Sequence, residues 1–215
     1  MGSTHLPLRH AVLEEIRRRI IDGAYAPGDR VFEDQIAADL DVSRNPVREA
    51  LQALAGEGFI ELEPRRGARV AVVSQTRAGE LFEVREVLEG LVATLAAARR
   101  TDADVAAMRA VVEEGLETAG RGNLAALPAL NTRFHTLLAM TARNAMLAET
   151  IERLRHLIEW IYAQRIAERA PRSWREHSRI VDAIASGDAD AAERVARAHI
   201  AMARAAYVDL HERSE

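Results

Sequence analysis

Residues 42–51 read Val42-Ser43-Arg44-Asn45-Pro46-Val47-Arg48-Glu49-Ala50-Leu51. Serine is a residue type that satisfies the open N–H groups of a helix start, and Pro46 falls in the first turn, where its missing N–H costs nothing. Val47, Ala50, Leu51 and Leu54 then recur with helical period, and Gly56 or Gly58 ends the run. Arg44 and Arg48 are four apart, so they share a face at the positive end of the helix dipole. The stretch predicts a capped helix with one face for a core and two arginines at its start.

Upstream, Leu8, Val12, Ile16 and Ile20 predict a first helix that stops at Asp22-Gly23, and Ala26-Pro27-Gly28-Asp29 is a turn. Ile36, Ala37 and Leu40 belong to a short second helix, joined to the third by Leu40-Asp41-Val42. Downstream, Phe59-Ile60-Glu61-Leu62-Glu63 and Ala68-Arg69-Val70-Ala71-Val72 flank Pro64-Arg65-Arg66-Gly67, the pattern of a β-hairpin. Helix, helix, short turn, helix, hairpin is a winged helix-turn-helix. Four of the six prolines lie before residue 75, and the rest of the chain runs in long Ala- and Leu-rich stretches. The organisation expected is therefore mainly α: a winged helix-turn-helix over 1–74 and an all-α antiparallel helical bundle over 78–213.

Composition bounds the chemistry. The chain has 215 residues and no cysteine, which removes disulfide scaffolds, thiolate zinc fingers and iron–sulfur clusters. No apolar run approaches the ~20 residues of a bilayer span, and residues 1–6 carry no signal-peptide core, so a cytoplasmic protein with no membrane partner is expected. The 29 basic side chains are all arginine, each a planar fork suited to phosphate or carboxylate, against 33 acids. A formal net charge of −4 means that nucleic-acid binding has to rest on local placement.

That placement is available. A recognition helix offers its N-terminal residues to major-groove base edges, and arginine bidentate to guanine is the commonest specific contact. Arg44 and Arg48 fit that role, with Ser43 and Asn45 as phosphate or base-edge partners. Arg65, Arg66 and Gly67 sit at the hairpin tip, where a wing reaches the minor groove or backbone. Residues 1–75 hold 10 arginines against 12 acids, so internal pairing with Glu49, Glu57, Glu61 or Glu63 is the competing reading. The expectation is that Arg44 and Arg48 stand clear of the protein body.

Residues 31–37, 42–51, Leu54 with Glu57-Gly58, and 64–70 together resemble the DNA-binding domain of GntR-family transcription regulators, over about residues 8–73. The resemblance implies double-stranded DNA as partner, read as a palindromic operator by a homodimer with one recognition helix per half-site. Asp34 departs from the pattern, since some members carry a basic residue there.

From Thr76 on, Leu81, Val84, Leu88, Leu91 and Leu95 form one helical stripe and Val105, Met108, Val112 and Leu116 another. Residues 124–141, 147–166, 171–185 and 188–210 bring the total to about six helices. Ser173-x-x-Glu176 reads as a capping box at the start of the fifth, Gly187 ends it, and Asp188 caps the last. Of seven histidines, His5, His10 and His211 lie near the ends, and His156 has glutamates at i−4 and i+3. His135, His177 and His199 have aliphatic neighbours at i±4 and point into the bundle. A buried imidazole needs a partner for each nitrogen. One such residue is ordinarily a satisfied core histidine; three on three helices, with Asn131 one turn before His135, point to a shared divalent metal.

The segments Phe82-Glu83-Val84-Arg85-Glu86-Val87-Leu88-Glu89, Asn131-x-x-Phe134-His135, Glu176-His177-x-x-Ile180 and His199 resemble the FCD ligand-binding domain of the FadR subfamily, over about 78–210. The resemblance implies a metal held by Asn131, His135, His177 and His199 beside an effector cavity, and the helical part as dimerisation domain. Aspartate is the commoner residue at position 131; a neutral amide raises the site's net charge by one and favours an anionic effector. Zinc leads as cofactor, with nickel, manganese and iron as alternatives. Arg85 lies in an apolar stripe, either paired with Glu89 at i+4 or held as a clamp for the effector's carboxylate.

The reading is a metabolite-responsive transcription regulator with a small carboxylate effector. Two alternatives remain: the same regulator with a metal-free pocket, and a metal-dependent hydrolase. The hydrolase needs a positioned general base, yet there is no His-Glu-x-x-His and Glu176 sits about 100° around the helix from His177.

Overall fold

The computed structural model describes residues 5–63, 67–163 and 166–208. It divides into two compact units, one ending at Val73 and the other starting at Ser74.

In the first unit, α1 (His5–Ile21), α2 (Glu33–Asp39) and α3 (Arg44–Glu57) pack around Ile16, Ile20, Ile36, Val47, Leu51 and Leu54, all of them buried. The α1 run ends as expected, with Gly23 in the left-handed region at φ 78°. The carboxylates of Glu14 and Glu57 hold the buried Arg17, with Nη2 2.7 Å from Glu57 Oε2, and this ties α1 to α3. Ser43 occupies the N-cap position of α3, but its side chain accepts no hydrogen bond from the helix, so that part of the reading is corrected. At the other end Gly58 takes φ 87°, a conformation with a steric cost for any side chain.

The hairpin expected over 59–72 is present as β2 (Ile60–Glu63) and β3 (Gly67–Val70), in antiparallel register with Ile60 opposite Val70 and Glu63 opposite Gly67. A third strand, β1 (Arg30–Val31), pairs with β3 and makes the sheet order β1-β3-β2. Two residues are too few to show a period of two, so β1 is invisible to pattern reading. The hairpin tip, with Arg65 and Arg66, lies outside the described residues.

The second unit holds α4 (Gln75–Arg99), α5 (Asp102–Gly120), a 3₁₀ turn (Leu124–Ala126), α6 (Leu127–Thr141), α7 (Ala145–Ala163), α8 (Ile166–Ser186) and α9 (Ala189–Val208). Short connections between long helices make the bundle antiparallel. Small residues on α4 (Ala93, Ala96, Ala97) and α9 (Ala192, Ala196) let those two helices lie close along their length. The α5 start is a full capping box, in which Thr101 Oγ1 accepts the Asp104 N–H and Asp104 Oδ2 accepts the Thr101 N–H at 2.8 Å. Asp188 Oδ1 caps α9 by accepting the Ala191 N–H at 2.9 Å.

Two sequence expectations are corrected here. The α8 helix begins at Ile166 and runs through Pro171, so Ser173 lies inside it, buried, and forms no capping box. The stripe on α4 is also offset. Ala78, Leu81, Phe82, Arg85, Glu89, Val92, Ala93 and Ala96 are buried, whereas Val84, Val87 and Leu91 are exposed by 50%, 59% and 45%. Leu81 of the expected stripe is buried and Leu88 and Leu95 partly so, whereas Val84 and Leu91 give way to an inward-facing Arg–Glu pair.

Candidate functional site

On the first unit the start of α3 is exposed. Ser43, Arg44, Asn45 and Arg48 all face solvent, and Gly67 opens β3 at φ 94°. The two arginines do not stand clear, however. Arg44 Nε lies 2.6 Å from Asp34 Oδ1, and Arg48 donates through Nη2 (2.8 Å) and Nε (3.1 Å) to Glu33. The partners come from the start of α2 rather than from the glutamates nearest in sequence. Asn45 Nδ2 donates to Glu49 Oε1 at 2.9 Å. The arginine side chains remain 67% and 56% exposed, so these are solvent-screened pairs, open to exchange against a competing anion.

In the second unit, α6, α8 and α9 bring His135, His177 and His199 together, so that one ring nitrogen from each lies within 4.8 Å of the others. Phe134, fully buried, anchors α6 and stacks on His177 at 4.2 Å between ring centroids. Trp174, also fully buried one turn before His177, meets its ring edge-on at 4.9 Å. His177 Nε2 and His199 Nε2 face each other at 3.3 Å.

Around the imidazoles lies a shell of buried charge. Glu176 Oε2 is 2.8 Å from His199 Nδ1 and 2.8 Å from Arg169 Nη2. Arg85 Nη2 is 2.8 Å from Glu89 Oε1, and Glu89 Oε2 stands 2.9 Å from His135 Nδ1, near enough for an ion pair but not aligned as a hydrogen bond. Among the described residues, His135 is thereby left without a hydrogen-bonded ring nitrogen, and His177 Nδ1 has no partner. Burial pulls the His199 imidazole down to about 4 although the Glu176 carboxylate pushes it up. Burial, with the neighbouring imidazoles, also holds His177 well below its ordinary value. Burial pushes the Glu89 carboxyl up, but Arg85 and His135 outweigh it and hold it below the usual carboxylate range. At neutral pH His177 and His199 are thus lone-pair donors set among carboxylates. That donor set, with buried nitrogens left unpartnered, fits a divalent metal.

Glu89, Asn131 and His135 also line a cavity of about 470 Å³ whose outer walls include Met140, Ile151 and Ile158. Asn131 is buried and borders a second, small cavity of about 20 Å³, with Arg85, Tyr162, Arg169, Ser173 and His199. The structure thus brings together Arg85, Asn131, His135, His177 and His199. Sequence reading missed Glu176, which it placed in a cap, and Arg169. The spacing of those two, two helical turns apart on α8, was the available signal.

Among the described residues no helix is long and apolar enough to cross a membrane. Residues 8–70 match the bacterial regulatory proteins of the gntR family, and residues 80–202 match the FCD domain. The chain is 31% identical over 199 residues to a probable D-xylose utilization operon transcriptional repressor of Paenarthrobacter nicotinovorans, covering 92% of this chain and 88% of that one. It is 28% identical over 196 residues to the HTH-type transcriptional repressor RspR of Escherichia coli (strain K12), covering 90% and 86%. A putative GntR transcriptional regulator from Rhodococcus sp. RHA1 has a solved structure that superposes with a TM-score of 0.79 at 26% identity, covering 94% and 97%. With both halves of the chain matched in order and relatives of full length, the protein belongs to the gntR family of bacterial transcription regulators and carries an FCD domain.

Proposed function

We propose that this regulator's affinity for its operator is set by a small carboxylate bound beside a metal ion in the helical unit. The observation that carries the reading is the set of three histidines with buried, partly unpartnered nitrogens, one of which, His135, lines a 470 Å³ cavity. His135, His177 and His199 would hold the ion, with Asn131 as a neutral fourth donor, and zinc suits three imidazoles best. The bound ion supplies positive charge to an otherwise balanced site, where Arg85 and Arg169 are each matched by a glutamate. An anionic effector follows from that charge, and Arg85, on the small cavity with Asn131 and His199, would clamp its carboxylate in exchange for part of its contact with Glu89. A coupling of about 1–3 kcal/mol between effector and operator is sufficient for a switch.

In the winged unit, Arg44 and Arg48 would read base edges while Ser43, Asn45 and Gly67 meet the phosphate backbone, with Arg65 and Arg66 assigned to the wing on sequence alone. We further propose a homodimer on a palindromic operator. The exposed Val84, Val87 and Leu91 on α4 form an apolar face suited to a second copy, and sedimentation of the full chain tests it. The names of the Escherichia coli and Paenarthrobacter relatives favour repression as the direction.

The test is metal analysis of protein purified without a nickel column, followed by operator titration with and without candidate carboxylates. His199→Ala is expected to lower metal content and effector response while sparing operator affinity. Unchanged metal stoichiometry in that variant would overturn His199 as a ligand, and a wild type without metal would return the site to the metal-free reading, in which the histidines pair polar neighbours or the effector. The partnering of both His199 nitrogens within the protein favours that alternative.

A further inference from the structure

Glu176 has a place that neither the helix nor the core requires. It is 3% exposed, in a bundle where an apolar side chain of similar volume would pack without the cost of burying charge. Its Oε2 meets His199 Nδ1 of the neighbouring helix at 2.8 Å, and the carboxylate is fixed from behind by Arg169 at 2.8 Å and Arg172 Nε at 3.3 Å. A carboxylate in this state only accepts hydrogen bonds, so the neutral His199 ring has to carry its proton on Nδ1. The lone pair is then on Nε2, the atom that faces His177 Nε2 at 3.3 Å. The opposite side repeats the order Arg–Glu–His, with Arg85, Glu89 and His135, though with a less well aligned final contact.

Resting on the metal reading above, we infer that Glu176 is a positioning residue for the metal centre. It fixes the His199 tautomer, aims Nε2 at the ion, and supplies from behind the ligand a negative charge that the neutral Asn131 does not provide. Among the described residues His177 has no such carboxylate: Phe134 and Trp174 pack its ring, and its Nε2 meets only His199 Nε2. Carboxylates in this outer position raise the basicity of the ligating imidazole and ordinarily change metal affinity about 10- to 100-fold.

The experiment is a zinc titration of the full-length wild type and Glu176→Gln against a competing chelating dye. The expected result is unchanged stoichiometry with affinity weakened about 10- to 100-fold. Equal affinity in the two proteins overturns the role of Glu176 while leaving the metal reading intact. A wild type that takes up no zinc overturns the metal reading and with it this inference. Because the variant leaves Arg169 buried without its counter-charge and could fail to fold, nitrogen-15 NMR of histidine-labelled wild type supplies an independent readout. Metal-free protein at neutral pH should show His199 protonated on Nδ1 alone. The Nε2–H tautomer would overturn the proposal, as would a doubly protonated imidazolium, the state of a purely structural Glu176–His199 ion pair.

Discussion

At the scale of single residues, Arg48 carries the clearest functional prediction. It is exposed, presents one edge to Glu33, and keeps further N–H groups for a base. Arg48→Ala should weaken binding to a specific operator by roughly 10- to 100-fold, with the circular dichroism spectrum unchanged. Unchanged affinity in a fluorescence anisotropy titration would remove Arg48 from the reading head. Asp34 makes the converse case. Its carboxylate occupies the Arg44 guanidinium at 2.6 Å and adds a negative charge where phosphates approach. Asp34→Asn should therefore strengthen binding to random duplex DNA and steepen its salt dependence, lowering the ratio of specific to non-specific affinity. A salt slope equal to that of wild type would mean that the pair stays intact on DNA.

Individual elements depend on contacts that can be removed one at a time. The capping box of α5 rests on Thr101 and Asp104, and the Thr101 backbone N–H, followed by its hydroxyl, lowers the Asp104 carboxyl below its ordinary value. A depressed folded-state pKa contributes stability above the unfolded value of about 3.9, and this is lost as pH falls through the folded value. Thr101→Ala should cost about 0.5–2 kcal/mol at pH 7 in urea unfolding, and the difference from wild type should shrink below about pH 4. A gap that stays constant into acid would separate the cap from the Asp104 charge. Further along α5, a Cβ on Gly115 would lie 2.2 Å from Cε3 of the fully buried Trp174. Alanine is the better helix former by about 1 kcal/mol, but a clash with an indole that has no room to move wins. Gly115→Ala should destabilise the helical unit by about 1–3 kcal/mol and, because Trp174 braces His177, should weaken zinc binding as well.

For the molecule as a whole, the two units give a test of where the metal acts. A ligand that binds only the folded helical unit stabilises it by about 2.7 kcal/mol at 100 times its dissociation constant. Calorimetry of the full chain should then show zinc raising one transition while the winged unit melts unchanged, and a chelator should reverse the shift. Equal movement of both transitions would mean that the units unfold together.

Much of this molecule is written in short-range patterns. The α3 helix, its glycine end, the hairpin, the Asp188 cap and the inward faces of the three histidines all follow from residues within about four positions of one another, because helix period, capping and turn geometry are local properties of the backbone. The winged helix-turn-helix and the helical bundle were therefore legible from the sequence, as were His135, His177 and His199. What packing alone settled is long-range. Glu176 meets His199 across 23 positions, Arg48 meets Glu33 across 15, and β1 joins the sheet only because β3 is beside it. Glu89 meets His135 across 46 positions, and the inward Arg85–Glu89 pair, one of the two readings that the spacing allowed, leaves Val84 and Leu91 of the expected stripe outside. A buried charge goes where a partner on another helix can neutralise it, and no periodicity along one chain segment records where that partner will be.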